Sequence, residues 1–111
     1  MAAMRDAAVA ACHPYDFVLS PTAPVPAFDA RLAMPTDDPE RPFEHISFTL
    51  PYNMSEQPAV SVNWSHTDDG LPIGVQLAGA RHDDLGVLQA ARIVERLRPP
   101  QPAWPMEPAR G

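Results

Sequence analysis

The chain has no lysine: its eight basic residues are all arginines, set against 14 acidic ones, for a formal charge of −6. No run of like charge gathers them, so neither nucleic acid nor an anionic membrane is expected as a primary partner. Cysteine is almost absent as well. Cys12 stands alone, which excludes an intrachain disulfide framework and any CxxC metal pair and makes a reducing, cytoplasmic setting the default. Glycine is scarce, and none of the five lies in a phosphate-cradling loop. No stretch approaches the ~18 apolar residues of a membrane-spanning helix. Val9-Ala10-Ala11-Cys12 has the look of a lipoprotein cleavage site, but Arg5 and Asp6 interrupt the apolar run of roughly 7 to 15 residues that a signal peptide requires.

Proline, by contrast, is plentiful. Twelve of its 15 copies cluster between Pro21 and Pro51 and again between Pro99 and Pro108, so the length able to form regular structure is well below 111 residues. That bounds the chain at one domain, whose core would be marginal on its own.

Met1 to Cys12 is rich in alanine and predicts a helix, with Met4, Ala7, Ala8 and Ala11 on one side. Tyr15 to Ser20, aromatic and branched with a proline after it, predicts a buried strand. Pro21 to Glu44 carries too many prolines for helix or central strand and reads as a long loop, ordered or flexible. Ser47 to Met54 fits either a helical turn broken at Pro51 or an irregular approach to the next strand. Ala59 to Trp64 alternates, with Val60, Val62 and Trp64 on one face, and Ile73, Val75 and Leu77 alternate in the same way. Thr67-Asp68-Asp69-Gly70 between them is a turn signal, so the pair predicts an antiparallel hairpin with a loop longer than two residues. Its other face is small (Ala59, Ser61, Gly74, Ala78), leaving room for a close neighbour.

His82-Asp83-Asp84 opens a helix to about Leu97, with an aspartate as N-cap and Arg92, Arg96 and Arg98 near the negative end of the dipole. Its stripe is Gly86, Val87, Ala90, Ile93, Val94 and Leu97; Leu85 and Leu88 fall outside it, either as ordinary exposed leucines or as residues a partner covers. Residues 99–111 form a proline-rich tail that would dock, if at all, through Trp104.

The chemistry-bearing residues do not assemble into a site along the sequence. Ser61, His66 and Asp68 lie close together, but closeness along a hairpin does not supply triad geometry, and Ser61 lacks a GxSxG context. His13, His45, His66 and His82 have no zinc-ligand spacing, so no metal or cofactor is expected. The aspartate pairs at 37–38, 68–69 and 83–84 sit in turns or at a helix start, where aspartate has local roles.

Three stretches change the reading. Asp16 to Pro24 (DFVLSPTAP), Thr49 to Val62 (TLPYNMSEQPAVSV) and Gly70 to Gly79 (GLPIGVQLAG), followed by the terminal helix, resemble in order and spacing the carboxy-terminal region of the amidase signature family. The resemblance runs from about Tyr15 to Leu97. It implies an α/β fold, a fragment of that family's mixed β-sheet sandwich, here a β-hairpin with flanking helices: residues 1–98 as the carboxy-terminal part of an amidase-like domain, with 21–44 as a loop within it and 99–111 as the tail. Family members cleave amides with a serine, cis-serine, lysine triad and backbone N–H groups that stabilise the oxyanion. The triad lies upstream of the matched region, and a chain with no lysine cannot carry the base, so no catalytic residue is expected here. Relatives often have glycine at the position of Glu56 and proline at that of Asn63. The amidotransferase branch places a substrate-gripping acidic residue where Ile46 stands. The resemblance also puts the Pro21 to Glu44 loop near the substrate entrance, making Pro21 and Thr22 candidates for pocket lining; the alternative is a turn that ends the strand.

The leading expectation is a truncated or split amidase piece that contributes sheet and cleft wall to amide hydrolysis and is inactive alone. Its partners would be the missing amino-terminal portion or a second copy, with a small amide as substrate. The rivals are a non-catalytic remnant that binds a protein through its strand edges and a self-sufficient small α/β domain.

Overall fold

Alanine's high helix propensity is expressed at the amino-terminal end, where α1 spans Ala2–Cys12. The computed structural model describes residues 2–104, 106, 108 and 109; Met1 of the expected helix and residues 105, 107, 110 and 111 of the expected tail lie outside the described residues. Then follow β1 (Phe17–Pro21), a 3-10 turn (Glu44–Ile46), α2 (Leu50–Ser55), β2 (Ala59–His66), β3 (Pro72–Gly79) and α3 (Asp84–Leu97).

The three strands form one antiparallel sheet in the order β1-β3-β2. The hairpin pairs Val60 with Leu77 and Val62 with Val75, so the two apolar alternations share a face. Its loop turns through Gly70, whose φ of 92° suits glycine. Beyond Asn63 the register slips, Ser65 pairing with Ile73. The extra residue, Trp64, is a bulge.

α3 packs on β2 and β3, and its Ala91 meets Val62 and Leu77 in the core, flanked by Val60, Val75, Ala90 and Val94. Asp83 caps it, its carboxylate accepting from Gly86 N at 3.1 Å. The packed stripe differs from the expected one. Val87 and Ala91 are buried, whereas Ile93 and Leu97 stay 58% and 71% exposed. The helix presents its small residues to the sheet because Gly79 Cα allows Val87 to approach closely: a Cβ there would lie 2.6 Å from Val87 Cγ2. Leu85 and Leu88 are exposed, as their place outside the stripe suggested.

The other sheet face carries Gln76, 4% exposed, which donates to Phe48 O at 2.9 Å and to Ser20 Oγ at 3.3 Å. These bonds draw the segment before α2 across the small side chains. Of the two readings of Ser47 to Met54 the helix is realised. Pro51 sits in the first turn of α2, where a missing N–H costs nothing. The helix ends on Glu56 in the left-handed region (φ 60°, ψ 27°). Glycine takes that conformation at least cost, so glutamate here is held at some strain. Here the Glu56 carboxylate ion-pairs with Arg81 and lies 3.5 Å from Arg5, tying α2 to the β3–α3 junction and to α1.

Three further expectations are corrected. β1 is an edge strand with alternating exposure, not a buried one, because nothing among the described residues pairs with its outer side. α1 rests on α2 through the side bearing Arg5, Ala8, Val9 and Cys12, while Met4 and Ala7 face outward and Ala11 borders the hollow between α1 and α2. The chain after α3 docks through Gln101, which donates to Trp64 O at 3.1 Å and accepts from Asn63 Nδ2 at 3.3 Å; Trp104 is 92% exposed. The Gln101 side-chain amide donates to one strand group and accepts from another, which an indole, a donor only, cannot do.

Candidate functional site

The polar features of the chain converge where β1 ends. Thr22 N donates to Gly74 O at 3.2 Å, carrying the β1–β3 ladder one residue further. This places the Thr22 side chain over Gly74, on the small face of the sheet. Ser61 projects from β2 on that same face. Their hydroxyls, Thr22 Oγ1 and Ser61 Oγ, are 2.7 Å apart and hydrogen-bonded across the width of β3. Glycine at 74 makes this possible, since a Cβ there would lie 2.7 Å from Ser61 Oγ and 2.9 Å from Thr22 Oγ1.

The hydroxyl pair forms the floor of a cavity of about 480 Å³. Its walls are Pro24, Val25 and Phe28 of the long loop, Ile73 of β3, and His45 of the 3-10 turn. Phe28 meets the His45 imidazole edge to face, ring centroids 5.7 Å apart. The Nδ1 atom of His45 is buried and has no hydrogen-bond partner among the described residues. Among the described residues no Asp, Glu or Arg lines the cavity. The charges of the loop are used elsewhere, Asp29 with Arg31 and Arg41 with Glu44. The Arg31 side chain, helped by its backbone N–H, holds the exposed Asp29 carboxyl below the usual carboxylate range.

Of the two candidates, Thr22 lines this cavity; Pro21 pairs with Val75 and belongs to the opposite face. Ser61 pairs with Thr22, and with about 3.3 Å of rise per residue a regular strand would hold His66 far beyond hydrogen-bond reach of it. The aspartate pairs serve locally: Asp38 accepts from Glu40 N at 2.9 Å, Asp69 from the Thr67 hydroxyl, and Asp83 caps α3. Among the described residues no three His, Cys, Asp or Glu side chains gather as a metal site, and no helix is long and apolar enough to cross a membrane. Sequence reasoning missed Gly74, His45 and Phe28 as site residues. The small face of the hairpin was the available signal for Gly74; nothing along the chain pointed to the meeting of Phe28 with His45.

A second hollow, about 460 Å³, lies between α1, β1 and α2 and is walled by Ala8, Cys12, Phe17, Leu19, Pro51 and Tyr52. Partial burial, with a smaller contribution from neighbouring Cys12, pushes the Tyr52 phenol above its ordinary value.

A three-stranded antiparallel sheet backed by one helix, with this loop over its small face, is a recognisable piece of a larger enzyme class. The model of the family described as Amidase matches residues 1–88, and the chain belongs to that family. Among curated relatives it is 42% identical over 81 residues to the A subunit of the glutamyl-tRNA(Gln) amidotransferase of Myxococcus xanthus, a match covering 73% of this chain and 16% of the relative. The corresponding protein of Thermodesulfovibrio yellowstonii is 37% identical over 84 residues, covering 76% and 17%. Among solved structures, the same amidotransferase component from Thermotoga maritima matches with a TM-score of 0.73 and 35% identity, over 86% of this chain and 20% of that one. A 6-aminohexanoate cyclic dimer hydrolase complexed with substrate matches with a TM-score of 0.68 and 31% identity, over 86% and 23%. The chain thus spans less than a fifth of the curated relatives it matches.

Proposed function

We propose that this chain forms the carboxy-terminal sheet segment and one cleft wall of an amidase that hydrolyses a carboxylic amide C–N bond, with the serine, cis-serine, lysine triad supplied by sequence outside these 111 residues. The observation that carries this reading is the unfinished outer edge of β1. An edge strand that leaves Phe17 and Leu19 37% and 62% exposed is poorly protected against pairing, and it suits a strand position inside a larger sheet. The absence of lysine places the general base elsewhere. On this reading residues 1–98 belong to the amidase domain and 99–111 to a tail. The partner is the remaining amidase portion, covalently attached or separate, the setting is cytoplasmic, and Thr22 faces the cleft.

A chimera tests it. The matched fifth of the Thermotoga maritima protein is replaced by this chain, and ammonia release from a panel of small primary amides is followed. Hydrolysis by the chimera, absent from the same protein lacking that segment, is the expected result. A folded but inactive chimera overturns the catalytic contribution and supports a non-catalytic interaction segment; failure to assemble overturns the scaffold role itself.

A further inference from the structure

The cavity above Gly74 has a chemistry of its own. Small-molecule pockets run to roughly 300–1,000 Å³, are mostly apolar and carry a few placed polar groups. At about 480 Å³, with Pro24, Val25, Phe28 and Ile73 as walls and two hydroxyls at the floor, this one fits that description. The hydroxyl pair is more informative than its size. Two hydroxyls carry two protons, and their mutual bond uses one of them. The second proton has no acceptor among the described residues, so the pair, with Ser61 exposed and Thr22 half-buried, holds one free O–H donor on the lining of this open, largely apolar hollow. A carbonyl oxygen is its natural acceptor.

The walls carry no permanent charge, His45 being the one ionisable side chain among the described residues that line them. With no Asp, Glu or Arg among the described residues that line the cavity, an ionised ligand would give up part of its water with no permanent counter-charge in return, which disfavours it against a neutral one. The net charge of −6 further disfavours anions.

From this we infer that the cavity bounded by Thr22, Phe28, His45, Ser61 and Gly74 binds a small uncharged molecule with an apolar body and a carbonyl oxygen, the body against Phe28 and Ile73 and the oxygen accepting from the Thr22–Ser61 pair. As a substrate subsite this rests on the amidase reading and assigns it a neutral, apolar acyl group; as a binding site it stands on the geometry alone.

Three probes of equal shape separate the alternatives: phenylacetamide, phenylacetate and phenethylammonium, each titrated into the full chain while backbone amide resonances are followed. Phenylacetamide is expected to give saturable shifts at Thr22, Ser61 and Gly74, with both ions at least about tenfold weaker. Ser61→Ala and Thr22→Val, which keep the fold, should each weaken it about three- to tenfold, the loss of one hydrogen bond. Gly74→Ala should weaken it as well, because its methyl forces the two hydroxyls apart. Equal or tighter binding of either ion, shifts confined to the hollow beside Tyr52, or binding indifferent to both hydroxyl variants would overturn the site. The chimera can still hydrolyse amides if this site fails, and the chain can still bind phenylacetamide if the chimera is inactive, so the two proposals fail separately.

Discussion

Leu19 and Leu77 sit opposite each other in register across β1 and β3, on one face of one sheet. Leu77 is 5% exposed and Leu19 is 62% exposed. The difference is the reach of α3, which covers β2 and β3 and stops short of β1. The two edges of the sheet differ in the same sense. β2 carries a bulge at Trp64, and the chain after α3 is clipped to it through Gln101 on Trp64 O and Arg98 on Asn63 O at 3.2 Å. Bulges and covering segments are ways in which native sheets close an edge. β1 has neither, and the hollow beside it is lined by Phe17, Leu19 and Tyr52. Among the described residues one edge is covered and the other is open.

Substitution should expose that asymmetry. Leu77→Ala should cost about 2–5 kcal/mol in urea unfolding, as for a large buried side chain, whereas Leu19→Ala should change it by less than about 0.5 kcal/mol. Equal losses would mean that β1 is already covered in solution. Within the chimera, Leu19→Ala should become as costly as a core substitution.

Gly79→Ala comes next. Its methyl would meet Val87 Cγ2 at 2.6 Å, and the overpacking should cost about 1–3 kcal/mol by separating α3 from β3. A neutral result would show that the helix is less closely seated than the core geometry requires.

Smaller still is Gln101→Ala. It removes the clip on β2, and unfolding should shift by about 1 kcal/mol, with faster amide exchange near Trp64. If exchange there is unchanged, the β2 edge is closed by the bulge alone.

The smallest effect is a titration on the β1 side. Tyr52 should ionise above the ordinary tyrosine midpoint of about 10 because partial burial disfavours phenolate. A raised folded value means that the stabilisation is fully present below the unfolded pKa and is lost as pH rises through the folded one. Absorbance at alkaline pH should therefore show a late tyrosine that Tyr52→Phe removes, and a late step surviving that change would assign it elsewhere.

Local rules went far in this chain. Alternation fixed the hairpin and the face shared by Val60, Val62, Val75 and Leu77, and the capping aspartate placed the start of α3 at Asp83. Less legible was the side of a helix that would pack. Helical spacing groups Val87 with Ile93 and Leu97, but Gly79 admits a close approach that favours Val87 and Ala91 over Ile93 and Leu97. The site is half legible in sequence: Thr22 belongs to a family motif and Ser61 and Gly74 to the small face of the hairpin, while nothing local joins Thr22 to Ser61.

What the sequence determined by itself is what depends on near neighbours: strand alternation, the Gly70 turn, the cap, the proline-rich loop, and the motifs that mark the amidase family. It also settled that no lysine base lies in these residues. Tertiary structure decided what depends on segments far apart in the chain. The Thr22–Ser61 bond spans 39 residues and the Gln101 clip on Trp64 spans 37, and the 3-10 turn brings His45 to Phe28. Such contacts follow from strand order and helix seating, which free energy sets over the whole fold, so no local window of sequence could contain them.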